Sequence, residues 1–326
     1  MRISIALATF NGAAYLEAQI KSILQGSRQP DEWVVVDDAS TDASLELARR
    51  QLMEAAARAS TCTTNPANLG ASASFARAAA LATGDVILFC DQDDIWDPDK
   101  VRLVEEEFAR DDDLVLTYHD GAIIDAHGKP DGRTIWGTRK HARLERGGDR
   151  DPMEVAANPD VKGCSLAIKG SFAHELFART PPEFHRYWGH DHWMALFAWG
   201  CGRVKAVPLQ LIAHRLHGRN TSAGARFNPL SPAHWQQRMR AARSQAADHG
   251  IRRYAMALEV ANSYGERFDA RLLSALIAHR EYEERRMALG RLSVPRRIRA
   301  AIALWSEGYY RKHANGAWTL FRDLVG

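Results

Sequence analysis

From Ile3 to Ala8 the chain is apolar except at Ser4, and Leu16, Ile20, Ile23 and Leu24 then recur at helical spacing, which predicts a short buried strand followed by an amphipathic helix. The pair repeats: Trp33 to Val36 reads as a second strand, and Leu45, Ala48, Leu52 and Ala55 lie on one helical stripe behind it. After the loop TTNPANLGAS come a helix around Phe75 to Ala82 and the strand DVILFC, apolar on both faces. Strands that alternate with helices and lack period-two polarity belong to a parallel sheet covered on both sides. Residues 1–110 are therefore expected to form a doubly wound α/β half.

The middle of the chain is less regular. LVLTY (Leu114 to Tyr118) and CSLAI (Cys164 to Ile168) read as strands, separated by a Gly- and charge-rich segment from Gly128 to Asp151 that reads as a mobile loop. HDHWMALFAWG predicts a helix beginning near His190, and VKAVPLQLIAHRLH one or two strands. After Asn228-Pro229 the pattern turns helical and Arg-rich, so the expected division is a main domain over 1–228, with halves 1–110 and 111–228, and a helical region over 229–326.

Composition changes this picture in one respect. The chain is 46% hydrophobic with a net charge of +3, ordinary for a globular protein, but from Ser231 onward 17 Lys and Arg face 9 Asp and Glu. That tail carries +8, leaving −5 on the first 230 residues. A basic, aromatic-bearing tail suits nucleic acid or an anionic membrane surface, and an acidic body suits a cation. Cys62, Cys90, Cys164 and Cys201 form no CxxC pair, which predicts a reduced, cytoplasmic protein without a disulfide framework or a structural zinc site. The opening apolar run meets Asn11 too soon for a signal peptide, and no later stretch is apolar enough to span a bilayer.

Candidate chemistry sits where strands end. DDASTD follows Val36 and DQDD follows Cys90, and ligands of an open parallel sheet bind beyond the carboxyl ends of its strands. Side chains alternate along extended chain, so Asp91 and Asp93 share a side, a spacing suited to Mg²⁺ or Mn²⁺. Crowded carboxylates with no basic partner nearby in sequence call for a cation or donors, although Asp42 reads equally as a helix cap.

ATFNGAAYLEAQIKSILQGSRQPDEWVVVDDASTD, NLGASASFARAAALATGD and FCDQDDIWDPDK resemble, in order, the motifs of family-2 inverting glycosyltransferases, and DQDDIW followed by Lys resembles the rhamnosyltransferase-like members that build bacterial lipopolysaccharide, O-antigen or capsule. The resemblance implies the GT-A fold: a mostly parallel, Rossmann-like sheet with helices on both faces, here with a helical C-terminal extension. It further implies that Thr9, Phe10 and Asn11 line a nucleotide pocket, that Asp38 accepts the imide N–H of a uracil or thymine, that Asp91 lies by the ribose and that Asp93 holds the metal bridging the diphosphate.

Transfer from such a donor needs one general base on the opposite face of the sugar. Asp191 in RYWGHDHWMALFA resembles the family's acidic acceptor motif, although an acid at a helix start also serves as a cap. Its neighbours Trp188 and Trp193 are candidates for stacking on sugars and for raising the carboxylate's basicity by desolvation, and His190 stands where the family often carries an acid. HRLHGRNTSA resembles the family's RxHxxN pattern, which places Arg215 and Asn220 near the diphosphate and His217 on the metal. KGCSLAIKG resembles the strand flooring the acceptor pocket, Gly163 permitting close approach, with Cys164 packed rather than nucleophilic because no Cys-His arrangement is evident.

In the tail, Ile298, Ile302, Trp305 and Tyr309 share one helical stripe flanked by Arg296, Arg297, Arg299, Arg311 and Lys312, which fits a helix in an anionic membrane interface and fits equally one packed on its own domain or a dimer mate. The expected activity is therefore metal-dependent inverting transfer from a dTDP- or UDP-sugar, dTDP-rhamnose by resemblance, to a glycan or lipid-linked glycan, on the cytoplasmic face of the inner membrane and without nucleic acid as partner. A sugar nucleotidyltransferase is the less favoured reading, since LATFNGAAY lacks a Gly-rich, Lys-bearing loop. So is a non-catalytic glycan- or nucleotide-binding scaffold, which has no use for the metal and base carboxylates.

Overall fold

The computed structural model describes residues 1–137, 145, 148, 150–218, 220, 244–310 and 317–325, and the chain divides into two compact units. Unit one comprises Met1–Arg150 and Asp160–Gly218; unit two comprises Asp151–Pro159 and Arg219–Gly326.

Unit one opens with β1 (Ile3–Thr9), α1 (Ala13–Leu24), β2 (Glu32–Asp37), α2 (Ser44–Glu54), β3 (Ser60–Thr64), α3 (Ala71–Leu81) and β4 (Val86–Cys90). These four strands pair in parallel in the order β3-β2-β1-β4. Ile3, Ile5, Leu7, Val34, Val35, Val36, Ile87 and Leu88 are fully buried, which is what helices on both faces of a parallel sheet require. The helices bury the predicted stripes, Leu16, Ile20 and Ile23 on α1, Ala48 and Leu52 on α2, and Phe75, Ala78 and Ala79 on α3.

Beyond β4 the pairing turns mixed. After β5 (Ile95–Trp96) and α4 (Lys100–Arg110) come β6 (Leu114–Ile124) and β7 (Pro130–Thr134). Then follow β8 (Leu166–Lys169), α6 (Gly170–Arg179), α7 (His190–Cys201) and β9 (Arg203–Arg215), with α5 (Pro152–Ala157) between β7 and β8 in unit two. β8 inserts antiparallel between β4 and β6, β9 runs parallel to β6, and β5 pairs antiparallel with the end of β9. The result is one mixed α/β sheet of nine strands, with β7 paired on β6.

Two strands, β3 and β7, depart from the sequence reading, and β9 resolves one of its alternatives. β3 carries the polar string STCTT, which belongs to an edge strand held by backbone pairing with β2 rather than by apolar side chains. β7 lies within the expected loop of 128–151, the rest of which falls largely outside the described residues. β9 is one strand of 13 residues, and its end lies against the loop after β4.

Unit two is helical, with α8 (Ser244–Ser263), α9 (Ala270–Leu289), α10 (Val294–Ser306) and α11 (Ala317–Val325) besides α5. Asp269 caps α9 by accepting from the Arg271 and Leu272 amides. Its core joins Tyr282, Leu289, Ala301, Leu304 and Tyr310. A buried fork lies beside it: Arg286 donates from Nε and Nη2 to Asp323 at 2.9 and 2.8 Å, and the Tyr310 hydroxyl adds a third bond at 3.1 Å. Among the described residues no helix is long and apolar enough to cross a membrane.

Candidate active site

The loops after β1, β2 and β4 are tied together at the strand ends. Gln92 Oε1 accepts from the Thr9 hydroxyl at 2.7 Å and the Phe10 amide at 2.8 Å, and a Cβ on Gly12 would lie 2.0 Å from that oxygen, so a side chain there would displace Gln92 from these bonds. Asn11, at φ +48°, accepts from the Thr41 amide with its side-chain oxygen, while its own amide donates to Ser40 Oγ. Asp42 accepts from the Ala13 amide at 3.1 Å and the Ser44 amide at 3.0 Å, so it holds the starts of α1 and α2. Phe10 is 43% exposed at the rim, whereas Thr9 is buried and engaged with Gln92.

Asp38 is buried, and three donors of its own chain meet its carboxylate: Asn65 Nδ2 at 2.7 Å and the amides of Leu69 and Gly70, each at 2.8 Å. It thereby pins the Asn65 to Gly70 loop beside the sheet edge. A carboxylate offers about four lone-pair sites, so one acceptor position is left.

The DQDD loop meets the end of β9 in two acid–imidazole pairs. Asp93 Oδ2 lies 2.7 Å from His217 Nε2, and Asp94 Oδ1 lies 2.9 Å from His214 Nδ1. Between them the Arg215 amide donates to Asp94 Oδ1 at 2.9 Å, and its guanidinium donates from Nε to the Asp93 carbonyl at 2.8 Å and from Nη1 to the carbonyls of Asp125 and Ala126. Tyr15 stacks on His217 at 4.8 Å with the Arg215 guanidinium 5.0 Å from its ring, so α1 backs the same corner. Arg215 is buried and braces the acid loop through these carbonyls. Asn220 belongs to unit two.

Charge is crowded here. Burial, together with the neighbouring carboxylates of Asp94 and Asp93, pushes Asp91 up to about 8, and Asp191 adds to the push. Asp93 is raised by burial and by Asp94, against the hydrogen bond from His217. Asp94, also buried, is nevertheless held below the usual range by His214 and the Arg215 amide, while its second oxygen is buried without a partner. Asp93, raised by burial and Asp94 and touching the His217 imidazole, is the carboxylate of this corner that suits a hard divalent cation, with His217 as its companion ligand.

Asp94, Cys164 and His214 also bring one ligand atom each within 4.8 Å of one another. Cys164 Sγ lies 3.8 Å from His214 Nδ1, a Cys-His contact that linear spacing hid. The thiol is pushed well above its ordinary value by burial and by Asp94 and Asp91, so it is no thiolate nucleophile. Lys100, buried over Trp96 and donating to the Cys164 carbonyl at 2.8 Å, already supplies positive charge to this corner. Burial draws its ammonium down to about 8.

Asp191 opens α7, and its charge reaches Asp91. Burial raises its carboxyl, but the imidazoles of His192 and His190, the His192 amide and Lys162 outweigh that and hold it below the ordinary range. The expected gain in basicity is therefore overturned: the helix start and its basic neighbours win over desolvation. The stacking expectation fails as well, because Trp188 is 2% and Trp193 0% exposed; they pack on each other at 5.7 Å and belong to the core. His190 is buried and stacked on Phe75 at 4.2 Å, and burial lowers it to about 4, so it is neutral. Gly163 does permit a close approach, though of this ring: a Cβ there would stand 2.6 Å from His190 Nε2.

Gln92, Asp94, Lys100, Lys162 and Tyr15 are not singled out as site residues by the sequence, and His214 stands there only as a weak zinc partner of His217. Only the density of acids in DQDD and the two histidines of HRLH signalled them.

Residues 4–156 match the family described as Glycosyl transferase family 2. An uncharacterized glycosyltransferase of Nostoc sp. is 28% identical over 275 residues, 82% of this chain and 79% of its own. One of Haemophilus influenzae is 33% identical over 126 residues, 39% of this chain and 49% of its own. Among solved structures, S. aureus TarS 1-349 in complex with UDP superposes with a TM-score of 0.51 at 15% identity over 80% of this chain and 70% of that one. The mannosyltransferase PcManGT from Pyrobaculum calidifontis, in complex with GDP-Man and Mn²⁺, gives 0.54 at 19% identity over 99% and 86%. At such identities the structural likeness is one of fold.

Proposed function

We propose, on the premise that residues 4–156 carry a family-2 glycosyltransferase domain, that this chain is a metal-dependent inverting glycosyltransferase. Its donor is a pyrimidine nucleoside-diphosphate sugar, with dTDP-rhamnose the one favoured by the DQDDIW resemblance, and its acceptor is a hydroxyl of a lipid-linked or surface glycan. The observation that carries the reading is the acid corner at the strand ends, where burial and neighbouring carboxylates raise Asp91 and Asp93 toward protonation and Asp93 lies 2.7 Å from the His217 imidazole.

Asp93 and His217 would hold the cation, which supplies charge neutralisation for the departing diphosphate, with Asp91 beside them by the ribose. Gln92 locks the β1 and β4 loops into one wall, and the remaining acceptor site of Asp38 takes the imide N–H of the base. Asp191, kept ionised by its basic neighbours, receives the acceptor hydroxyl's proton as the acceptor oxygen bonds to the anomeric carbon and the bond to the diphosphate oxygen breaks. His190 buttresses that helix start from between Phe75 and Gly163.

A thermal-shift panel of UDP, dTDP, GDP, CDP and ADP, each with and without Mn²⁺, tests the reading, because a ligand that binds only the folded state raises its stability. A metal-dependent shift with UDP or dTDP that disappears in Asp93→Ala is expected. Equal shifts with and without Mn²⁺ in parent and variant would refute metal dependence, and no shift with any nucleotide would refute the donor class.

A further inference from the structure

α10 has two apolar faces, one more than unit two uses. Ala301 and Leu304 are buried in the core cluster, and Ala300 and Trp305 pack against it. Tyr309, just past the helix, turns inward too, stacking on Tyr282 at 6.1 Å with the Arg285 guanidinium 4.8 Å from its ring. Trp305 and Tyr309 thus leave the stripe that periodicity assigned to them. A different row faces outward: Val294, Ile298 and Ile302, spaced by four, are 54%, 41% and 56% exposed. Three large aliphatic side chains in a row on one turn-to-turn line form a patch that a surface helix ordinarily avoids.

The charges around this row have one sign. Between Arg291 and Ser306 there are four arginines and no acid. Arg291, Arg296 and Arg299 are exposed and make no ion pair with a described residue. The first acid beyond the helix, Glu307, is paired with Arg285 at 3.4 Å. An aliphatic row with unpaired guanidinium groups on its flanks matches a surface that is apolar within and negative at its rim, which describes an anionic bilayer interface. A protein groove of that kind would need a matching acidic border, and among the described residues of this helix a second copy would bring only like charge.

We infer that the outer row of α10, Val294, Ile298 and Ile302 with Arg296 and Arg299 beside it, docks unit two on an anionic lipid surface. The inference concerns unit two alone, so it stands or falls separately from the transfer reaction.

Co-sedimentation of the full chain with vesicles of phosphatidylcholine, and with an equal mixture of phosphatidylcholine and phosphatidylglycerol, tests it. At least ~10-fold stronger partition onto the mixed vesicles is expected, falling as salt rises. Ile298→Asp with Ile302→Asp, and separately Arg296→Gln with Arg299→Gln, should each cost ~10-fold or more of that partition while leaving the unfolding temperature in place, because these side chains are exposed. Indifference of the parent to anionic lipid, or full binding by the aspartate variant, overturns the inference. So does a parent that runs as a dimer in solution and is made monomeric by the aspartates, which would give the face to a second copy.

Discussion

Replacing Asp94 with Asn probes the lock between the acid loop and β9. The carboxylate is fully buried, and one of its oxygens accepts both from His214 Nδ1 and from the Arg215 amide, each at 2.9 Å. An amide keeps that oxygen but not its charge. Hydrogen bonds to a charged group contribute about 1.5–3 kcal/mol, and breaking a buried pair costs about 3–5 kcal/mol, so a shape-conserving change should cost about 2–3 kcal/mol. The loss should depend on pH in a definite direction. Burial lowers His214, but Asp94 more than offsets this, so the folded value lies above the ordinary one. The ion pair's contribution is then complete below the ordinary histidine pKa and disappears as pH rises through the folded value. Asp94 is shifted the opposite way, and its contribution is lost only in strong acid. Urea unfolding in EDTA, followed by tryptophan emission, reads unit one, which holds six of the nine tryptophans. The variant should be weaker by about 2–3 kcal/mol at about pH 6 and by roughly 1 kcal/mol at about pH 9. A loss equal at both values, or under about 1 kcal/mol at the lower one, would refute the charged lock.

Asp191→Asn should keep donor binding and lose transfer by about 10²-fold, and transfer at the parental rate would give the base role to another residue. Gly163→Ala forces a methyl group to within 2.6 Å of His190 Nε2, so it should cost about 1–3 kcal/mol in unfolding experiments and slow transfer through Asp191; an unchanged variant would mean the ring has room to move. His190 and His279, both lowered to about 4 by burial, exclude protons that the unfolded chain takes up. Stability should therefore rise with pH between about 4 and 6.5, by as much as about 3 kcal/mol per residue, and the double Gln variant should flatten that slope. Asp323→Ala removes the forked partner of the buried Arg286 and leaves it only Glu283 as an acidic partner among the described residues, so it should destabilise unit two by about 2–4 kcal/mol, read by calorimetry as a change confined to one transition.

What could be read from sequence follows from what each element needs. β1, β2 and β4 are buried on both faces, so their apolar runs announce them. β3 and β7 are made by backbone pairing at sheet margins, and STCTT and PDGRT give no apolar signal. The motif acids were legible because each follows a strand, but their surroundings were not. Asp94 is next to Asp93 in the chain, yet its partner His214 is 120 residues away and arrives only when β9 packs beside β6. The aromatic flank of Asp191 misled because helical spacing assigns a face without saying whether that face meets solvent or core. For the same reason two members of the expected stripe, Trp305 and Tyr309, turn inward, and Val294 joins Ile298 and Ile302 on the outward row of α10.

The 124-residue separation between Asp93 and His217 also has a meaning in time. A chain made at roughly 5–20 residues per second leaves the ribosome with its acid loop well before its imidazole, an interval of about 6–25 seconds. The parallel strands β1 to β4 can close within the first 90 residues, but through that interval the carboxylates beyond them lack their β9 partners. The Asp94–His214 and Asp93–His217 contacts are therefore among the last features of unit one to form, completed only late in synthesis once β9 is in place.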